Sequence, residues 1–319
     1  MKELINKLAP LIDIFAVLPV VISGWLLRNV RRIGFQRLPL CKIALLNIGV
    51  FPIRNHYYEP QFDFRETGRI FSHERDLPGI KWNLDYQLEI IKKFKYAAEL
   101  IDLPKNKTND LEYYLNNKAF EEGDSEYWYQ LIRFMKPKKI FEIGSGNSTL
   151  MAIKAIKKNQ EEDYDYSCEH ICIEPYEAPW LGQTNVRVLR KKVEDLEKVF
   201  FSVLEEGDIL FIDSSHIIRP GGDVVFEYLE LLPTLKKGVI VHVHDIFSPR
   251  NYPERWLKNN ILLWNEQYLL EAFLTNNSSW NVIGALNYLH HNHYKELNKV
   301  CPNLNLRSEP GSFYIQKRT

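Results

Sequence analysis

Short apolar runs alternate with stretches of three-and-four apolar spacing from residue 138 to the C-terminus, and this pattern predicts most of the elements. The runs at 139–143, 171–174, 186–189, 209–213 and 239–244 read as strands, and those at 281–286 and 312–316 as two closing strands. Helical periodicity lies between them at 148–158, 193–204 and 223–232, and again at 262–275. Strand-helix-strand alternation of this kind specifies a doubly wound α/β fold with a mostly parallel sheet. Upstream, Leu84, Leu88, Ile91, Phe94 and Ala98 recur at helical spacing. A further helix is expected over 125–135, capped by Asp124 or Ser125 and ended by Pro137. Three regions follow: a hydrophobic segment at 1–38, an aromatic-rich helical and loop extension at 39–123, and the sheet domain at 124–319.

The first region adds a question of its own, because residues 9–27 hold 14 apolar residues in 19 and are followed by Arg28, Arg31 and Arg32. That length suits a membrane, whereas Asp13, Pro10 and Pro19 weigh against a spanning helix, and no small-residue cleavage site follows. Interfacial attachment, packing on the protein's own core and a true span all stay open; a span would leave the C-terminal bulk cytoplasmic. Composition narrows the rest. With 45% hydrophobic and 26% charged residues the chain can build a core, and its 41 basic and 41 acidic residues cancel, so no net field favours nucleic acid. Cys41, Cys168, Cys172 and Cys301 are too scattered for a disulfide framework, and inert thiols in a reducing, cytoplasmic setting are expected.

Candidate chemistry begins at FEIGSGNSTL, where a strand runs into Gly144, Ser145 and Gly146 before a helix. Glycine permits a sharp turn and a close ligand. Thr149 stands where dinucleotide binders carry a third small residue, which disfavours an NAD-dependent oxidoreductase without excluding it. Glu174, 28 residues past Gly146 at a strand end, is placed to accept hydrogen bonds from a ribose diol. Glu142 before the turn would repel a pyrophosphate and suit the cationic amino acid end of a cofactor.

EIGSG, the strand-end Glu174, GDILFID and GVIVHVHD, in this order and spacing, resemble the class I S-adenosylmethionine (SAM)-dependent methyltransferases over roughly 124–319. The resemblance implies a Rossmann-like, seven-stranded sheet with the last strand antiparallel, SAM's amino acid portion at Glu142 to Gly146, its ribose on Glu174 and its adenine near Val193 and Glu194. The whole chain is also similar to bacterial methyltransferase-like proteins of unestablished substrate.

A second constellation ends the fourth and fifth strands: Asp213, Ser214, Ser215 and His216, then His242, His244 and Asp245. Asp213 and Asp245 are expected in one crevice, where two carboxylates hold a hard divalent cation such as Mg2+. This resembles the metal-dependent, catechol-type O-methyltransferases. His216 takes the place of their basic residue and, at an ordinary pKa of about 6.5, suits a general base. Ile246 replaces an expected asparagine ligand, so either another group such as His244 completes the metal site or His216 acts without metal. At most one of His242 and His244 is expected to face the site with Asp245, with His242 packed inside. His290, His291 and His293 read as a solvated loop with no carboxylate beside them, Arg219 to Gly222 as a turn into a helix, and His56, Tyr57 and Tyr58 as packing aromatics or an acceptor-side wall. The expected activity is SAM-dependent O-methylation of a small-molecule or carbohydrate-like acceptor; the alternative is a SAM-binding assembly or regulatory protein without turnover.

Overall fold

The computed structural model describes every residue except 1, 57, 61–70, 72 and 177, with side chains described from Leu8 onward. The chain forms two compact units, residues 1–68 and 69–319. In the first, helix α1 (Lys2–Ile33) runs unbroken through Pro10 and Pro19, and α2 (Pro39–Ile48) buries none of its residues. Each proline removes one hydrogen bond from a helix 32 residues long, which leaves the rest of the ladder intact. Within this unit most apolar side chains of α1 are exposed, Phe15 at 78% and Trp25 at 69%, while Val30 is buried. Arg31 donates two hydrogen bonds to Glu59, at 2.9 and 2.8 Å.

The second unit is built on seven strands: β1 (Lys139–Ile143), β2 (Glu169–Ile173), β3 (Arg187–Leu189), β4 (Ile209–Ile212), β5 (Ile240–Val243), β6 (Trp280–Ala285) and β7 (Phe313–Lys317). Their order is β3-β2-β1-β4-β5-β7-β6. The first five are parallel and β7 runs antiparallel to both its neighbours. Both faces of the sheet are covered by apolar clusters, so central strands such as Ile209–Ile212 are apolar throughout rather than alternating. Glu174, Asp213 and His244, which the sequence places inside strands, each lie one residue beyond the ladder. Strand order reverses between β1 and β4, and an open α/β sheet leaves its crevice at that point.

Helices α3 (Leu84–Lys93), α4 (Asp124–Met135) and α5 (Asn147–Glu162) lie close to their expected places. Gly123 caps α4, because the Asp124 carboxylate instead accepts the N–H groups of Gly311 and Ser312. The stretch 84–120, set apart as an extension by its sequence, shares a core with the sheet through Ile90, Phe94, Leu100 and Phe120. Arg133, fully buried on α4, joins Glu99 and Glu162 and lies 4.1 Å over the Tyr96 ring.

The expected helix at 193–204 is two 3-10 segments, Val193–Asp195 and Lys198–Val203. Extended backbone at Leu196 and Glu197 interrupts it and lets Val193, Phe201 and Leu204 all reach the core. Helix α6 (Asp223–Val225) continues as a π turn, Phe226–Leu231. Then follow α7 (Glu254–Lys258), α8 (Glu266–Leu274), α9 (Leu286–Asn292) and α10 (Tyr294–Val300). His290 and His291 therefore lie on α9 rather than in a loop: His290 Nε2 is 3.0 Å from the Asn305 carbonyl oxygen, and a carboxylate, Glu309, does meet His291 at 3.0 Å. His56 and Tyr58 are exposed, and Tyr57 lies outside the described residues. All four cysteines are free thiols.

Candidate active site

The turn after β1 is fixed from beneath. Glu142 is fully buried, and its carboxylate accepts hydrogen bonds from the Ser148 and Thr149 hydroxyls, the latter at 2.8 Å, with His170 Nε2 at 2.9 Å. Thr149 in turn accepts the Gly146 N–H at 3.1 Å, which caps α5. Glu142 therefore braces the turn and lies off the cavity above it, contrary to its expected place against a cofactor's amino acid end; strand alternation turns its side chain toward α5 and the neighbouring His170. Thr149, read from the sequence as an obstacle, is the link in that brace.

Gly144 is the point of closest approach. Its φ is +80°, and a Cβ there would stand 2.2 Å from the Asp213 carbonyl oxygen, so glycine is required where the ends of β1 and β4 converge. A Cβ on Gly146 would meet nothing within 4 Å, which leaves space for a ligand on that side. A cavity of about 290 Å3 opens at the strand ends, lined by Gly144, Glu174, Tyr176, Glu194, Asp213 and Ser214 among others. Glu174 Oε2 accepts the Ser145 hydroxyl at 3.2 Å and Oε1 the Tyr176 N–H at 3.0 Å, which orients its carboxylate at the rim. Of the expected cofactor residues, Gly144, Glu174 and Glu194 thus share one cavity, Ser145 joins it through Glu174, and Glu142 and Gly146 lie outside its lining. The fit to SAM rests on this orientation: a carboxylate held at the rim of a cavity at the strand-order switch.

The second constellation converges. His216 Nε2 lies 3.2 Å from Asp213 Oδ1 and 3.5 Å from Asp245 Oδ2, and Nδ1 lies 2.8 Å from Glu266 Oε2. Trp264 covers the imidazole at 4.4 Å between centroids. His216 and Asp245 hold left-handed backbone at φ +60° and +58°, a conformation that costs a non-glycine residue about 1–3 kcal/mol and clusters at functional sites. The Asn265 and Glu266 N–H groups both donate to the His216 carbonyl and hold the loop in place.

Charge follows from this geometry. Burial alone would lower the His216 pKa, but the Asp213, Glu266 and Asp245 carboxylates outweigh it and raise it well above 6.5. That direction favours the protonated ring and works against the role of general base expected of it. Burial works to raise Asp213, but the hydrogen bond from His216 and the charge of His244 hold it below the usual carboxylate range. Burial pushes Asp245 up to about 6 against the pull of both histidines.

Ile246 is buried in the core, and the group that joins Asp213 and Asp245 is His216 rather than His244. Their donor atoms lie within 4.8 Å of one another, and with Nδ1–H donating to Glu266 a deprotonated Nε2 would turn its lone pair to a cation held between the two aspartates. Two carboxylates and an imidazole form a plausible donor set for a divalent cation such as Mn2+. His242 on β5 and His244, one residue past its end, share a face of the sheet, with centroids 5.7 Å apart; what separates them is depth. His242 packs on Phe211 and meets Ser312 at 2.9 Å, and burial holds it well below its ordinary pKa. His244 instead lines a second cavity of about 410 Å3, together with Asp245, Trp256 and the turn at Lys118 to Glu122. Asp213 thus lines the first cavity and Asp245 the second, and the buried His216, which lines neither, lies within 3.5 Å of both carboxylates.

Sequence reasoning missed Glu266, 50 residues from His216, and Trp264; neither carries a local motif, and only tertiary packing brings them in. The turn at Arg219 to Gly222 closes on itself: Asp223 accepts both the Ser215 N–H and hydroxyl, at 2.9 and 2.6 Å, and the helix it opens is too short for an anion site.

A family model described as a methyltransferase domain matches residues 141–246. An uncharacterized protein of Archaeoglobus fulgidus is 32% identical over 173 residues, which span 50% of this chain and 76% of that one. Among solved structures, the chain is similar to the plantazolicin methyltransferase BpumL in complex with a triazolic desmethylPZN analog and S-adenosylhomocysteine (SAH), at 11% identity and TM-score 0.39 over 74% of this chain and 99% of that one. It is also similar to an O-methyltransferase from Bacillus cereus in complex with SAH, at 12% identity and TM-score 0.36 over 73% and 90% of the two chains.

Proposed function

The chain belongs to the class I SAM-dependent methyltransferases, and from that premise we propose that it transfers the methyl group of SAM to a hydroxyl of a small-molecule acceptor held in the second cavity. The observation that carries this reading is that Asp213 lines one cavity and Asp245 the other, with His216 Nε2 3.2 and 3.5 Å from the two carboxylates. Glu174 orients the ribose, Gly144 lets the donor pass close to the main chain, and Asp245 reaches from the cluster into the acceptor cavity. Positioning supplies most of the rate, since the thioether leaves readily and the acceptor oxygen must only be aligned and relieved of its proton. Asp213, His216 Nε2 and Asp245 would hold a divalent cation, whose chemistry here is to lower the pKa of the acceptor hydroxyl. Asp245 accepts the hydroxyl hydrogen bond, orients the oxygen and takes its proton as the methyl transfers and SAH leaves.

Calorimetry with SAM, SAH and NAD tests the donor; saturable NAD binding without SAM or SAH binding would favour an oxidoreductase. SAM binding without transfer to any sugar, lipid-linked or phenolic acceptor would favour the regulatory alternative. The cation has its own test. Because the neighbouring carboxylates raise the His216 pKa and an imidazole must give up its Nε2 proton to ligate a metal, Mn2+ binding is expected to release protons, read from calorimetry in two buffers of different ionisation enthalpy. No Mn2+ binding, together with transfer unaffected by a chelator, would leave the imidazolium as the only cation between the two aspartates.

Attachment to a bilayer, on the cytoplasmic face, completes the reading. Leu8–Ile33 is long and apolar enough to cross a membrane, and three arginines stand at its C-terminal end. Deleting residues 1–33 is expected to move the protein from the membrane to the soluble fraction of a lysate. Full-length protein found in the soluble fraction without detergent would remove the membrane from this account.

A further inference from the structure

Beneath the donor turn lies a second group of metal-type donors, which methyl transfer does not use. The parallel pairing of β1 with β2 sets Ile140 beside His170 and Glu142 beside Cys172. Glu142, His170 and Cys172 therefore share one face of the sheet, the face on which Thr149 of α5 packs. All three are buried, Glu142 and Cys172 fully. Glu142 Oε2 lies 2.9 Å from His170 Nε2 and 3.5 Å from Cys172 Sγ, and the sulfur lies 3.8 Å from the same nitrogen. Thr149 Oγ1 stands 2.8 Å from that carboxylate oxygen and 4.0 Å from the sulfur.

Hydrogen bonding accounts for the hydroxyls and the imidazole around Glu142, but not for the thiol. Sulfur is a weak hydrogen-bonding group and a poor companion for a buried carboxylate. Zinc explains all three. Bonds of about 2.0–2.1 Å to oxygen and nitrogen and about 2.3 Å to sulfur, spread tetrahedrally, set neighbouring ligand atoms roughly 3.3–3.6 Å apart. The three separations of 2.9, 3.5 and 3.8 Å bracket that range, so an ion reaches every donor with shifts of under about half an ångström. Charge agrees with distance, because a carboxylate and a thiolate neutralise a divalent ion and leave no net charge in the core. A thiolate with an imidazole and a carboxylate also selects zinc over the hard cations that suit oxygen donors.

We propose that Glu142 Oε2, His170 Nε2 and Cys172 Sγ form a structural zinc site, with Thr149 Oγ1 at its fourth side, that ties β1 to β2 under the donor turn. Binding displaces the Cys172 thiol proton and leaves the imidazole proton on Nδ1. Thr149 also accepts the Gly146 N–H, so the ion fixes the turn through the first residues of α5. The site is separate from the Asp213, His216 and Asp245 cluster and stands whether or not the chain transfers a methyl group.

The test uses the full chain. Produced in zinc-supplemented medium and dialysed against EDTA, it is expected to retain about one zinc per chain by elemental analysis. Produced with Co2+ instead, it is expected to show thiolate-to-cobalt charge-transfer absorption in the near ultraviolet. That band names the site, because the cluster of Asp213, His216 and Asp245 contains no thiol. Cys172→Ser is expected to lose both the retained zinc and the band. Should that variant not fold, Cys41→Ala/Cys168→Ala/Cys301→Ala, which keeps Cys172 as its last thiol, is expected to retain them. A folded wild-type chain that lacks either the zinc or the band overturns the proposal. So does a band that persists in Cys172→Ser or vanishes from the folded triple variant. SAH binding, titrated separately, bears on the donor reading alone.

Discussion

Methyl transfer falls about a thousandfold or more, about 4 kcal/mol of barrier, in His216→Ala and in Asp245→Asn. In the first variant Asp213, Asp245 and Glu266 lose the group that sits within 3.5 Å of all three. Three neighbouring carboxylates then repel one another and take up protons, so no charged pair is left to hold a cation or align the acceptor. In the second, the one carboxylate of the cluster that lines the acceptor cavity becomes a neutral amide. SAH affinity changes by less than about tenfold, about 1.4 kcal/mol, in both, because Glu174 and Gly144 hold the donor on the other side. Removing a buried ion-pair partner costs about 3–5 kcal/mol of stability, so His216→Gln accompanies the alanine variant to separate lost folding from lost function. Wild-type rates in folded His216→Gln and Asp245→Asn would remove the cluster from the reaction. Asp245 also gives the acid limb: protonated below about pH 6, it no longer serves as an acceptor, and kcat/KM drops as pH falls through that value.

What could be read from the sequence, and what could not, divides along the range of the interactions. All seven strands were legible because each is a run buried by its own local pattern. Gly144, Glu174, Asp213 and Asp245 were legible because a parallel sheet delivers its strand ends to one edge. The role of Glu142 was not. Its type suggested a cofactor contact, but its side chain faces Ser148, Thr149 and His170, a direction set by strand pleat and the placing of α5. His216 was found as a residue but its environment was not: an ordinary imidazole titrates near neutrality, and of the carboxylates that raise it here, Asp213 and then Glu266, the second arrives from α8. Three-and-four spacing over 193–204 suggested a helix that the core broke in two. Local pattern thus located the chemistry, and long-range contacts decided each group's protonation and direction.

The last expectation concerns the glycine turn and pairs two substitutions of the same size. Gly144→Ala places a methyl 2.2 Å from the Asp213 carbonyl oxygen and forces alanine to φ +80°. Backbone cannot yield there cheaply, since the Gly144 N–H is bonded to the Ile173 carbonyl at 3.1 Å and the Asp213 N–H to the Ile143 carbonyl at 2.9 Å. Left-handed alanine costs about 1–2 kcal/mol, and the clash adds more by prying β1 from β4. A total of about 3 kcal/mol lowers Tm by roughly 6–12 °C in a unit of this size. It also shifts the floor of the donor cavity and the strand end that carries Asp213, so SAH affinity falls about a hundredfold or more. Gly146→Ala is the control: its backbone is extended at φ 176°, and the added methyl meets nothing within 4 Å. Its Tm stays at the wild-type value, so any loss of SAH affinity reports a ligand in the space beside residue 146 rather than damage to the fold. A Gly144→Ala protein that keeps both wild-type Tm and wild-type SAH affinity would mean that the turn neither holds the two strands together nor floors the donor site.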